Sequence, residues 1–240
     1  MPESADFTKA REQATALVRA QLNAILRVPQ GPEKRLIEAM RYAALEGGKG
    51  FRPFLCLATS QLFDVPQSQA VRVAAALECV HCYSLAHDDL PAMDDDDLRR
   101  GRPSLHKAYD EATAILAGDA LLTLAFEILA DPATHPEASI RLALVTNLAR
   151  AAGMNGMVGG QTLDILSPDL SLDVAELARL QALKTGALIG FAVEAGAVLG
   201  AIDAPQTAAL NDYAQDLGLA FQIADDVLDV TGASQTLGKT

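Results

Sequence analysis

Along almost the whole chain, apolar residues return every three or four positions, as in "REQATALVRAQLNAIL" and "AAALECVHCYSLAH". Stretches that alternate at every second position, the mark of a half-buried strand, are nearly missing. A period near 3.6 puts the recurring residues on one helical face, so the pattern predicts an all-α protein. Helices are expected over 5–28, from Pro32 to Gly47-Gly48, and over 52–63, 67–90, 106–130, 137–155, 173–201 and 206–230. Pro32 suits a first helical turn and the glycine pair suits a C-terminal cap. Turns at "FDVPQSQ", "ADPATHPEAS" and "GAIDAPQT" separate several of them.

The most apolar stretch, "GALIGFAVEAGAVLGAI" at 186–202, has Gly186/Gly190 and Gly196/Gly200 at a spacing that lets helices approach closely. It is short for a membrane span and Glu194 interrupts it, which favours a buried bundle helix. With 240 residues, 50% of them hydrophobic and 21% charged, the chain suffices for one large core, and no linker or repeat divides it. One domain over 1–240 is expected.

A formal net charge of −12 argues against nucleic acid or an anionic membrane surface as the main partner. The opening "MPESADFTKAREQ" lacks the apolar core of a signal peptide, which predicts a cytoplasmic protein. Cys56, Cys79 and Cys82 leave an odd count and no disulfide framework. Cys79 and Cys82 do spell C-x-x-C. No second pair completes a tetrahedral zinc site, and the surrounding pattern is helical.

Against this background stands "HDDLPAMDDDDLRRGRPS", with six aspartates within positions 88–97 and arginines directly after. Read alone, such a run is either a solvated loop or a cation site, because crowded carboxylates repel unless something compensates them. A second cluster lies in "FQIADDVLDV", where Gln222, Asp225, Asp226 and Asp229 share one helical stripe. Its neighbours are mostly apolar, which predicts a largely buried helix whose carboxylates need a cation.

Upstream, His81, Ser84 and Asp88 share a face, and Pro91 should end or bend their helix. That break could turn Asp88 and Asp94 toward one ion. All-carboxylate donors suit a hard cation such as Mg²⁺ shared with phosphate, and the spacing fits no EF-hand. Each acidic cluster has basic company: Arg99 and Arg100, Lys49 and Arg52 in "EGGKGFRP", Lys184-Thr185, and Lys239. Together they predict a Mg²⁺–diphosphate site flanked by a second, metal-independent anion pocket.

These segments, with "GDALL" at 118–122, "GGQTLD" at 159–164 and "KTGALI" at 184–189, closely resemble the trans-isoprenyl diphosphate synthases, most of all the bacterial farnesyl diphosphate synthases, from about Leu36 onward. The resemblance implies an isoprenoid synthase-type helical bundle around a central cavity, usually a homodimer. It also implies a prenyltransferase that joins an allylic diphosphate head-to-tail to isopentenyl diphosphate, giving farnesyl diphosphate. Relatives carry a further C-terminal helical segment that this chain is expected to lack.

Carried over by position, the resemblance gives Asp88, Asp94 and Asp225 the Mg²⁺, with Asp89, Asp226 and Asp229 completing the motifs. It gives the allylic diphosphate to Arg99, Lys184, Thr185, Gln222 and Lys239, and isopentenyl diphosphate to Lys49, Arg52, His81 and Arg100. Gly50 departs from the family, which often has arginine there. Tyr83, with Ser84 beside it, would set the floor for the growing chain. The alternatives are a geranylgeranyl diphosphate synthase, a terpene cyclase on the same fold, and a non-catalytic prenyltransferase subunit. The second aspartate motif, standing where a cyclase would have an N-x-x-x-[ST]-x-x-x-E motif, speaks against the cyclase.

Overall fold

The computed structural model describes residues 5–46 and 48–231, with only the backbone for 169, 225, 226 and 228–231. Eleven helices account for nearly all regular structure among them: α1 (Ala5–Ile25), α2 (Lys34–Leu45), α3 (Phe51–Gln61), α4 (Gln67–Asp88), α5 (Leu105–Ala108), α6 (Glu111–Ala130), α7 (Ala138–Ala152), α8 (Met157–Leu166), α9 (Val174–Gln181), α10 (Ala187–Leu199) and α11 (Ala204–Thr231). The all-α expectation holds. The one sheet among these residues is a two-residue hairpin, β1 (Leu98–Arg99) paired antiparallel with β2 (Arg102–Pro103).

Several boundaries differ from the periodic pattern. The stretch expected as one helix over 106–130 is broken, because α5 ends at Ala108 and Asp110 then accepts the Thr113 N–H, starting α6 afresh. The helix expected over 173–201 is interrupted by a π-helical turn, Ala182–Gly186. Periodicity missed α8 altogether. Its sequence, MVGGQTLDIL, has two adjacent glycines near its start and too short an apolar run to signal a helix. α2 stops at Leu45, with Glu46 in extended conformation, rather than running on to a glycine cap.

By Cα proximity the described residues group into two units: 5–54 and 74–128 in the first, and 55–73 and 129–231 in the second. In the first unit, α4 is buried on every side between Ala74 and Val80, as expected for a helix apolar all round. The core continues through Leu22 of α1, Met40 of α2 and Leu121 of α6. Each fully buried side chain of that size contributes roughly 1.5–3 kcal/mol.

The second unit is built on α10, where Leu188, Ile189, Phe191, Val193 and Leu199 are all buried. A Cβ on Gly196 would lie 2.7 Å from the backbone of Thr59 and Ser60, so the glycine lets α10 meet α3. Thr59 Oγ1 donates across the same junction to the Ala192 carbonyl at 3.4 Å. Glu194, the one charge in this apolar stretch, accepts from Asn147 Nδ2 at 2.8 Å. Among the described residues, Glu111–Ala130 and Val174–Leu199 are long and apolar enough to cross a membrane, and half of the latter's apolar window is already buried within the protein.

α11 differs from its expected burial. It packs on α10 and, through Gly218, on Gly186 of the π-helical turn, while Leu219, Ile223 and Val227, four apart on another face, are each 54% exposed.

Candidate active site

α4 ends at Asp88, as Pro91 three residues later requires. The chain then reverses: Met93 N–H donates to the Leu90 carbonyl at 2.9 Å and Asp94 N–H to the Asp88 carbonyl at 2.8 Å. Two aspartates six positions apart are thereby neighbours in space. Asp88 is half-buried and Asp94 exposed.

Asp89 has a different situation. Its side chain is only 3% exposed, and Oδ1 accepts from Arg99 Nε at 2.7 Å and from a second guanidinium nitrogen of the same arginine. Arg99 also donates to Asp96 at 3.0 Å. Burial pushes the Asp89 carboxyl above the ordinary carboxylate range, and the Arg99 hydrogen bonds pull against that shift. Asp89 therefore fastens the hairpin to the end of α4.

The hairpin turns at Arg100 and Gly101, both with positive φ (56° and 75°), the geometry of a tight two-residue β-turn. Arg100 donates to His81 Nε2 at 3.2 Å. A nitrogen that accepts from a guanidinium carries no proton, so His81 is neutral with its proton on Nδ1. Burial, reinforced by the positive charges of Arg52, Arg100 and Arg99, holds its pKa well below 6.5.

Arg52, from the start of α3, lies in the same cluster, and its buried Nε has no hydrogen-bond partner among the described residues. Its pKa is lowered by burial, with Glu78 opposing and Arg100 adding to the shift. Gly48 closes the group from the loop before α3, where a Cβ would stand 2.9 Å from the Arg100 guanidinium. Lys49 is exposed beside it. Gly50 has a positive φ of 63°, and a Cβ there would strike Thr15 Oγ1 of α1.

Glu78 is the residue sequence reasoning missed here. It is 9% exposed, accepts from Cys82 Sγ at 3.8 Å, and is held above its usual pKa by burial while Arg100, Arg52 and Arg19 oppose that. Its position three residues before His81, on the same helical face, was the available signal. Ser84 turns inward on its own helix, donating to the His81 carbonyl at 2.9 Å, and Tyr83 is 6% exposed.

In the second unit, α8 and the π-helical turn approach so closely that a Cβ on Gly160 would stand 2.3 Å from the Lys184 backbone nitrogen. Such turns often mark functional sites. Lys184 Nζ donates to Asp164 Oδ2 at 2.5 Å, and Thr185 beside it is half-buried. Asp164, the last residue of "GGQTLD", is a second participant that had no assigned role. Gln222 lines a cavity of about 630 Å³ with Gly186, Gly190, Asn147, Arg150 and Glu194. Burial pushes the Glu194 carboxyl up. The backbone of α11 is helical through Thr231, so Gln222, Asp225, Asp226 and Asp229 keep the register of one face. The side chains of these three aspartates, and Lys239 altogether, lie outside the described residues.

Among the described residues, no three His, Cys, Asp or Glu side chains form a metal-binding group. The donors that are present suit a hard cation: Asp88 and Asp94 offer only carboxylate oxygens, their backbones are joined by the chain reversal, and Asp94 is open to solvent.

Comparison with known proteins assigns the chain to a family. Residues 33–240 match the family model "Polyprenyl synthetase". The farnesyl diphosphate synthase of Escherichia coli (strain K12) is 52% identical over 208 residues, 85% of this chain and 69% of that protein. The farnesyl diphosphate synthase of Geobacillus stearothermophilus is 46% identical over 235 residues, covering 97% of this chain and 77% of that one. Among solved structures, the apo FPP/GFPP synthase of Zymomonas mobilis superposes with a TM-score of 0.92 at 48% identity, covering 96% of this chain and 84% of that one. The chain belongs to the polyprenyl synthetase family.

Proposed function

We propose that the protein is a trans-prenyltransferase that condenses dimethylallyl or geranyl diphosphate head-to-tail with isopentenyl diphosphate, yielding farnesyl diphosphate and diphosphate. The observation that carries this reading is the convergence of Arg52, His81 and Arg100 beside the aspartate turn. Half-buried guanidinium groups, close enough that Arg100 lowers the pKa of Arg52, are relieved by a polyanion, and charge-assisted hydrogen bonds to phosphate are strong and directional. In this reading they hold isopentenyl diphosphate together with Lys49.

Asp88 and Asp94, with Asp225 from α11, would hold Mg²⁺, and Asp226 and Asp229 complete the second motif. Bound there, Mg²⁺ supplies Lewis-acid stabilisation of the negative charge on a leaving diphosphate. Arg99, Lys184, Thr185, Gln222 and Lys239 would orient the allylic diphosphate. The remaining steps follow from charge. The allylic C–O bond breaks with its electron pair going to the diphosphate, and the isopentenyl double bond supplies the electrons of the new C–C bond. The proton then lost passes to the released diphosphate, since in the isopentenyl cluster His81 already accepts from Arg100 and the Glu78 carboxylate is engaged by the charges of Arg100 and Arg52. Apolar walls protect the cation from water, and Tyr83 closes the space available to the growing chain. The reading includes a homodimer in the cytoplasm and one catalytic domain over 1–240.

Incubation with dimethylallyl and isopentenyl diphosphates, with and without Mg²⁺, tests it. Farnesyl diphosphate formed only with the metal is expected. Hydrocarbon or cyclised alcohol from geranyl or farnesyl diphosphate supplied alone, with no condensation product, would make the protein a cyclase, and no turnover of any of these substrates would leave it a non-catalytic subunit.

A further inference from the structure

We propose that His87 determines product length by acting as a positioning residue behind Tyr83. The proposal rests on the reading of Tyr83 as the floor of the chain cavity. The two rings are one turn apart on α4 and meet edge to face, with centroids 5.7 Å apart and planes at 84°. Tyr83 therefore has an aromatic wall on the side toward Asp88, and its orientation depends on where that wall stands.

The wall is fixed from α6. His87 Nε2 lies 3.0 Å from the Ile115 carbonyl oxygen, and since a carbonyl only accepts, Nε2 carries the proton. One turn along α6 the imidazole rests on Gly118, where a Cβ would stand 2.2 Å from Nε2 and 2.5 Å from Cδ2. Asp119 Oδ1 is 3.9 Å from the same nitrogen. Ile115, Gly118 and Asp119 lie within one turn of α6, so one short stretch holds the ring by a hydrogen bond and by bare backbone, with a carboxylate 3.9 Å away. In the proposed reading neither His87 nor Gly118 has a part in holding diphosphate, and this packing gives both a role: a larger residue at 118 would displace the imidazole from its place behind Tyr83.

Chromatography of dephosphorylated products at matched turnover provides the test, with folding followed by circular dichroism. Tyr83→Ala should lengthen the product. His87→Ala and Gly118→Ala should each raise the fraction longer than fifteen carbons by about two- to tenfold while Tyr83 is intact, the factor an edge-to-face aromatic contact is worth. His87→Gln retains a donor for the Ile115 carbonyl but removes the ring, so it should lengthen products as His87→Ala does and covers the case in which the alanine variant does not fold. If Tyr83→Ala lengthens products and the His87 and Gly118 variants do not, the role of His87 is overturned while the floor stands. A fifteen-carbon product from active Tyr83→Ala would remove the floor itself and this inference with it. Slower turnover at unchanged chain length in the His87 and Gly118 variants would also overturn it, assigning both positions to support of Asp88.

Discussion

The positive charges fall into two groups that differ in what they already hold. In the first, Arg52 and Arg100 share one buried carboxylate, Glu78, with a neutral His81 between them. In the second, Arg99 and Lys184 are each bonded to carboxylates, Arg99 to Asp89 and Asp96, Lys184 to Asp164. A group with surplus positive charge attracts a diphosphate by its own field and needs no metal. A neutralised cation must be aimed rather than merely present, and anions reach its neighbourhood only with a cation to offset the aspartates. In the proposed reading, this difference in pairing is what would separate a metal-independent pocket from a metal-dependent one.

The contrast is broken most severely at the aspartate turn. Asp88→Asn should cut turnover by a hundredfold or so or more, the scale seen when one group that stabilises developing charge is lost, while circular dichroism and melting stay near wild type. Asp89→Ala should behave differently, because it removes the buried carboxylate that fastens the hairpin to α4 and leaves Arg99 with Asp96 as its remaining partner: an equilibrium unfolding measurement should show about 1–3 kcal/mol lost. Similar melting curves for the two variants would erase the distinction between the half-buried and the enclosed aspartate.

Arg52→Ala comes next, with an expected rise of about 10- to 100-fold in KM for isopentenyl diphosphate and little change for the allylic substrate, from the loss of charged hydrogen bonds. Equal rises would merge the two pockets. Asp164→Asn tests the other group. Losing the carboxylate that aims Lys184 should raise the allylic KM several-fold, the cost of immobilising one long side chain. Stability should change by no more than about 1 kcal/mol, because the pair is 30–40% exposed.

The smallest effect concerns pH. His81 has a folded pKa well below its unfolded value of 6.5. The unfolded chain therefore binds the extra proton first, and stability falls as pH drops below 6.5 toward the folded pKa. His81→Gln should flatten that part of a stability–pH curve measured by denaturant titration, and an unchanged slope would assign the acid sensitivity to other groups.

Much of this was legible in the sequence, for identifiable reasons. Pro91 announced the end of α4, and the apolar period announced most helices, because both act through local backbone geometry. The grouping of Arg52, His81 and Arg100 was implied by resemblance and is assembled by a hairpin of two residues per strand, too short to leave a periodic signal. Glu78 and Asp164 were overlooked because a carboxylate's partner is set by tertiary placement. The exposed stripe of α11 was misjudged because apolar composition alone does not say which face is covered.

Finally, the three thiols can report on how the protein opens. All are buried, burial pushes the Cys56 thiol up to about 12, and Cys79 and Cys82 are likewise raised by burial. As protonated, enclosed thiols they are unreactive in the native state. Alkylation would then proceed only through transient opening, and the residues divide by unit, Cys56 in the second, Cys79 and Cys82 in the first. Labelling rates compared across these positions would tell whether the two halves of the chain open together or one at a time.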